Sequence, residues 1–293
     1  MTPLLPLRPG DAVAIVAASG PFPEDRYARG KAVLEARGLT VREFLPSAKH
    51  RYLAGTDAER AAGVQAAFAD PEVRAVFAAR GGYGAMRLLP LLDVQAIVAS
   101  GKALVGFSDV TALHLALQNL GARSVHGPVV TRLGEEPPHA IDRLFALLAG
   151  EQPAHLHGDA IVPGTAEGRL LGGNLSVLTR LIGTPWMPSL DGCVLLLEDV
   201  GERPYRLDRM WTHLRLAGLL DRIAGLVLGD FTGCDDPQTG LTAQEIVQEF
   251  ARDLGRPTLG GFPIGHGDVH LAVPLGTRVR IDGDALRFNE GIS

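Results

Sequence analysis

Four short apolar runs, separated by stretches of helical character, dominate the first 120 residues and constrain the fold more than any other feature. They are Asp11–Ala18, Leu39–Leu45, Val73–Ala79 and Ala103–Phe107. Each is too short for a buried helix and ends in turn residues, as in Ser19-Gly20-Pro21 after the first and Arg80-Gly81-Gly82-Tyr83-Gly84 after the third. Between them Glu24–Arg37 reads as a helix. Thr56 opens another, with Glu59 three residues on completing a capping box. A helix is expected after Gly84, and Asp109–Leu120 (DVTALHLALQNL) follows the fourth run as a further one.

Continuous rather than alternating apolar strands are covered on both faces, which calls for a parallel sheet with helices on each side. The expectation is an α/β chain whose first domain, residues 1–130, is a flavodoxin/Rossmann-like parallel sheet. Residues 131–165, rich in Pro, His and Gly beyond one helical stretch at Ala140–Leu148, read as an inter-domain connection. Residues 166–293 read as a mixed α/β domain. Its strands are Cys193–Leu197 and Gly225–Gly229. Its helices are Asn174–Leu181, Tyr205–Ala217 and Thr242–Leu254. Its tail, Val269–Phe288, alternates with turn residues between, as antiparallel strands do.

Charge narrows the partners. The formal net charge is -5 with a pI near 6.0, which supplies no electrostatic pull toward nucleic acid. No apolar run reaches a membrane span, and Met1–Gly10 carries no basic cluster ahead of an apolar core, so neither membrane insertion nor a secretory leader is expected. Two cysteines, Cys193 and Cys234, in 293 residues fit reduced thiols in the cytoplasm rather than a disulfide framework.

In a parallel α/β sheet ligands bind beyond the carboxyl ends of the strands, so chemistry is sought there. Ser108, in Gly106-Phe107-Ser108-Asp109, sits where a strand turns into a helix. A tight turn there exposes a hydroxyl and places the next backbone N–H at a helix N-terminus, which stabilises an oxyanion. The plainer reading is an N-cap serine, and the segment is not G-x-S-x-G. A serine nucleophile needs a base and an orienting carboxylate. Of nine histidines, His266 stands out in Pro263-Ile264-Gly265-His266-Gly267, where glycines permit close approach. His266 and His270 have H-x-x-x-H spacing, but Pro263, Gly265 and Gly267 argue against the helix a metal pair would need. Three acids crowd the end of the second-half strand: Glu198, Asp199 and Glu202. Strand alternation separates Glu198 from Asp199, and an acid entering the next helix explains either as simply. The Gly81-Gly82-Tyr83-Gly84 loop could offer backbone N–H groups to an anion, but no dinucleotide or P-loop fingerprint occurs.

Taken together, Leu53-Ala54-Gly55-Thr56-Asp57, Arg80-Gly81-Gly82-Tyr83-Gly84, Gly106-Phe107-Ser108-Asp109, Gly172-Gly173-Asn174-Leu175, Leu197-Glu198-Asp199 with Tyr205-Arg206-Leu207-Asp208-Arg209, and Gly265-His266-Gly267 resemble the L,D-carboxypeptidases, or muramoyltetrapeptide carboxypeptidases. That serine peptidase family also contains the microcin-immunity peptidases. The resemblance implies a Ser108–Glu198–His266 triad and an oxyanion hole from the backbone N–H of Asp109 and one from Gly81 or Gly82. It further implies a cytoplasmic homodimer without metal or cofactor, and a murein tetrapeptide substrate that loses its terminal D-alanine through an acyl-enzyme. Arg80, Tyr83 and Arg206 are candidates for contacting substrate.

Two other readings compete. A microcin-immunity-type peptidase would cleave peptidyl- or aminoacyl-nucleotide amides and would want an aromatic surface for the base; Trp186 and Trp211 are the available tryptophans. A two-domain small-molecule binding protein would have the same cleft without catalysis, but has no need of Ser108, Glu198 and His266 together. Because His266 is read as a base, exhaustive chelation is expected to leave turnover unchanged. Activity lost to a chelator and restored by zinc would instead place His266 and His270 on a metal.

Overall fold

The computed structural model describes residues 4–289 and 291–292; the first three residues of the Met1–Gly10 stretch lie outside them. The first sheet is built as the apolar runs require. Strands β1 (Ala12–Val16), β2 (Thr40–Phe44), β3 (Val73–Ala78), β4 (Ala103–Gly106) and β5 (Ser124–His126) pair in parallel, in the order β5-β4-β3-β1-β2. Val13 to Val16 and Val76 to Ala78 have no exposed surface, so both faces of the sheet are covered. Helix α1 (Glu24–Ala36) follows β1, and α2 (Asp57–Ala69) opens with the Thr56–Glu59 capping box, each side chain bonded to the other's backbone N–H. The helix expected after Gly84 is present as a 3₁₀ helix, Ala85–Leu91, with Pro90, which has no N–H to donate, near its end.

Downstream come α3 (Val94–Ala99), α4 (Thr111–Asn119), α5 (Val130–Leu133) and α6 (Pro138–Leu148). The stretch 131–165, read as a connection, also contains β6 (Leu156–His157) and β7 (Asp159–Val162), strands too short for a periodic signal. They flank a second sheet with β8 (Thr165–Asn174), β9 (Val194–Val200), β10 (Gly225–Thr232), β11 (Thr258–Gly260), β13 (Arg278–Asp282) and β14 (Ala285–Phe288), in the order β6-β14-β13-β8-β9-β10-β11-β7. Its centre, β8-β9-β10-β11, is parallel and its margins are antiparallel, including the expected tail strands. Strand β12 (Val273–Leu275) leaves this half of the chain and pairs antiparallel with β5 of the first sheet. Helices α7 (Leu175–Arg180), α8 (Pro204–Leu216) and α9 (Ala243–Leu254) complete the chain. Among the described residues no helix is long and apolar enough to cross a membrane.

The two sheets share one core. It runs from Val64 and Phe68 on α2, through Leu113 and Leu117 on α4, to Leu178 on α7, Leu195 on β9 and Trp211 on α8. Every α4 residue from Thr111 to Gln118 is buried, as befits a helix with protein on all sides. Thr111 Oγ1 accepts from Asn174 N at 3.0 Å and Gln118 Oε1 accepts from Gly172 N at 3.2 Å, so α4 is bonded to the end of β8. Gly173 makes this possible: with φ at 136° it holds a conformation side chains avoid, and a Cβ there would sit 2.7 Å from Thr111 Oγ1.

A buried arginine braces the carboxyl edge of the first sheet. Arg60, on α2, has no exposed side-chain surface and donates to the carbonyls of Ala18, Gly55 and Gly84 (Gly84 at 3.0 Å) and to Asp57. Its removal strands acceptors in a dry site, each costing about 1–3 kcal/mol. Arg60→Met is therefore expected to lower unfolding stability by about 3 kcal/mol or more in urea titration. A loss below about 1 kcal/mol would mean that water reaches those carbonyls.

Candidate active site

Ser108 follows β4 in a left-handed conformation, φ 60°, while Phe107 before it is extended. A non-glycine residue held there costs on the order of 1–3 kcal/mol and marks a position that the surroundings enforce. The turn lifts the hydroxyl to the edge of the sheet, where Ser108 is half-buried. Gly81 lies against it: a Cβ on Gly81 would be 2.8 Å from Ser108 Cβ and 3.0 Å from its Oγ. The Gly81 carbonyl is already taken by Gly20 N at 3.2 Å, which fixes that loop. The Asp109 side chain does the same from below. Almost fully buried, its carboxylate accepts from Ser19 Oγ at 2.6 Å and Ala85 N at 2.7 Å, joining the loops after β1, β3 and β4. Burial pushes its pKa up, against the pull of those two donors. Sequence reasoning valued Asp109 for its backbone only; nothing local signals the side-chain role.

His266 and Glu198 meet from two elements of the second sheet's side. His266 Nδ1 lies 2.6 Å from Glu198 Oε2, and Glu198 has no exposed surface. With Nδ1–H donating to the carboxylate, Nε2 is the ring nitrogen left to accept a proton. The close approach depends on Gly265, φ 129°, where a Cβ would stand 2.6 Å from Glu198 Oε2. Asp230 Oδ2 accepts from Gly267 N at 3.2 Å, Arg132 Nη2 donates to the Gly267 carbonyl at 2.8 Å, and Glu136 Oε2 accepts from His270 N at 2.8 Å. The loop is thus pinned along its length, and Phe107 packs on the His266 ring with centroids 4.7 Å apart.

The other two acids point elsewhere. Strand β9 does not stop at Leu197 but continues to Val200, with Glu198 bonded to His266 and Asp199 to Asn174, Ser176 and Val200. Alternation therefore holds across both residues. Asp199 accepts from Asn174 Nδ2 at 3.1 Å, Ser176 N at 2.9 Å and Val200 N at 2.9 Å; burial, with a smaller push from the Glu198 charge, raises its pKa to about 6. Glu202 accepts from Ser176 Oγ at 3.2 Å and faces Arg206 at 3.5 Å. His270 is also apart from His266 in its bonding: its Nε2 lies 3.0 Å from His126 Nδ1, and burial drives the pKa of both rings well down.

Ser108 and His266 open into one cleft of about 380 Å³, lined also by Arg80, Gly81, Gly82, Phe107, Arg26, Arg132 and Val200. Arg206 and Tyr83 are not among its lining residues. Arg206, near Glu198 in sequence, projects from the first turn of α8 toward Glu202 and Tyr205 and lines a separate groove with Arg180 and Arg209. Tyr83 is half-exposed beside Tyr52, ring centroids 5.8 Å apart. Arg26 and Arg132 went unnoticed in the sequence: Arg26 lies within a helix and Arg132 in the stretch read as a connection, away from the strand ends where the chemistry was sought.

Two family models match the chain: the N-terminal domain of LD-carboxypeptidase over residues 13–127 and its C-terminal domain over residues 167–281. The murein tetrapeptide carboxypeptidase of Pseudomonas aeruginosa is 36% identical over 257 residues, covering 82% of this chain and 83% of that one. Among solved structures, the muramoyltetrapeptide carboxypeptidase of Oxalobacter formigenes superposes with a TM-score of 0.85 at 32% identity, covering 94% of this chain and 97% of that one. The microcin C7 self-immunity protein of Escherichia coli, solved with aspartyl sulfamoyl adenosine, gives 0.89 at 26% identity, with 99% of each chain covered. With both halves matched by the family's models and relatives above 30% identity along most of its length, the chain belongs to the LD-carboxypeptidase family of peptidases.

Proposed function

We propose that this peptidase is a serine L,D-carboxypeptidase that releases the terminal D-alanine from murein tetrapeptides, working in the cytoplasm as a homodimer in cell-wall peptide recycling. The observation that carries the catalytic part is the 2.6 Å bond between His266 Nδ1 and the buried Glu198 carboxylate, beside a serine held at φ 60° in the same cleft. In this reading residues 1–130 bring the nucleophile, residues 166–293 bring the acid and base, and residues 131–165 join them. Ser108 Oγ attacks the scissile carbonyl while His266 Nε2 takes its proton. The Asp109 N–H, with one from Gly81 or Gly82, holds the oxyanion. His266 then protonates the departing amino group of D-alanine. Water, deprotonated by the same nitrogen, hydrolyses the acyl-serine and regenerates Ser108. Glu198 fixes the imidazole tautomer and stabilises its charged form.

The murein peptide is favoured by the relatives of that printed activity and by the tryptophans. Trp211 is buried and stacked on Phe250 at 5.2 Å, Trp186 packs at the core margin, and neither lines the cleft. The competing substrate, an aminoacyl nucleotide, follows from the likeness to the microcin C7 self-immunity protein.

Incubation with a tetrapeptide ending in D-alanine is expected to yield free D-alanine, and incubation with aspartyl sulfamoyl adenosine little or no cleavage; the reverse pattern would replace the murein reading. Ser108→Ala should lower turnover about a thousand-fold or more with the fold intact. Near-normal activity in that variant would end the serine mechanism. Glu198→Gln should cut turnover by about two to four orders of magnitude, and Asp199→Asn and Glu202→Gln less, with thermal melting as the control. Were Glu202→Gln the inactive variant, the carboxylate would have to be reassigned.

A further inference from the structure

The cleft beside Ser108 is cationic in a chain with an acidic excess. Arg26, Arg80 and Arg132 line it, and no carboxylate does. The three guanidinium groups differ in what already neutralises them. Arg132 is committed to the fold: Nε and Nη2 both donate to the buried Glu136 carboxylate, at 3.1 and 2.7 Å, and Nη2 also holds the Gly267 carbonyl. Arg26 pairs with Glu135, within a cluster where Arg29 takes both Glu135 and Asp25. Arg80 has a neutral partner instead, the carbonyl of Pro21. Among the described residues no carboxylate lies within ion-pair distance of Arg80, and the residue is exposed.

Its position is fixed close to the chemistry. Arg80 follows β3, and the next residue is Gly81, the glycine that abuts Ser108 Oγ. The Pro21 contact leans the side chain along the loop after β1, which the Gly20–Gly81 bond holds in place. In a peptide the last carboxylate carbon lies within about one residue length, roughly 3.8 Å, of the scissile carbonyl carbon. A group that reads that carboxylate must therefore share the cleft with the nucleophile, as Arg80 does. Guanidinium is also the cation whose planar fork matches a carboxylate with two parallel bonds.

We propose that Arg80 binds the free α-carboxylate of the substrate's terminal residue and so makes the enzyme an exopeptidase; the assignment rests on the peptidase reading above. An unpaired cation in the cleft favours an anionic end group and leaves an amide or a continuing chain without compensation. The carboxylate stays in place while the bond one residue upstream is cut.

The test compares a D-alanine tetrapeptide with its C-terminal carboxamide, in two measurements. In turnover, the unmodified enzyme is expected to prefer the acid by about 100-fold or more in kcat/KM. Arg80→Ala should collapse that preference at least tenfold, chiefly by raising KM for the acid, and Arg80→Lys should recover part of it. In binding, calorimetry on Ser108→Ala should show the same preference without turnover, and Ser108→Ala/Arg80→Ala should lack it. An acid-to-amide ratio unchanged by Arg80→Ala, in either measurement, overturns the assignment even if activity drops, since a structural defect lowers both peptides alike. Failure of the peptidase reading shows differently. An enzyme that binds the tetrapeptide in an Arg80-dependent way but releases no D-alanine refutes the reaction and keeps the subsite. An enzyme that neither binds nor cuts the tetrapeptide refutes both.

Discussion

The close approach of Gly173 to Thr111 joins the two halves of the site. A side chain at position 173 would collide with the Thr111 hydroxyl, and without that contact α4 could not seat against the end of β8. Ser108 lies at the entry to α4, and Asn174 is paired across the sheet with Glu198. One glycine therefore sets the distance between the serine turn and the carboxylate that holds His266. The buried, apolar α4 makes that distance rigid, because a helix packed on all sides has no direction in which to slide.

Around this junction the polar groups are few and each is committed. Arg60 and Asp109 tie together the loops after β1, β3 and β4, which are the loops that border Ser108. On the other side Glu198 is a fully buried carboxylate whose Oε2 meets His266, while Oε1 has no partner among the described residues.

Much of the fold was legible in the sequence because its signals are local. Strands β1 to β4 of the first sheet announce themselves as apolar runs, and the Thr56–Glu59 box sits where α2 begins. Other features were not legible. β5 and β11 are three residues each, and β8 opens on polar residues and ends in glycines and Asn174. β6 and β7 are too short to show a period. β9 runs past the point where two acids suggested its end, since burial of Glu198 and the three bonds to Asp199 are tertiary facts. The helix expected after Gly84 is present, but nothing local announces that it is 3₁₀ over Ala85–Leu91.

The sequence by itself determined the α/β class, the parallel run of β1 to β4, the turns that carry Ser108 and His266, and the apolar strand that leads to Glu198. These follow from apolar runs, glycines and capping residues, which act within a few positions of the chain. Only the tertiary structure decided which groups meet. It placed Glu198 rather than Asp199 or Glu202 against His266, sent His270 to His126, moved Arg206 away from the cleft and brought Arg26 and Arg132 into it. Such meetings depend on how two sheets pack across α4, over separations of tens of residues. Local pattern carries no information about that packing, because the contacts that fix it are made by side chains far apart in the chain.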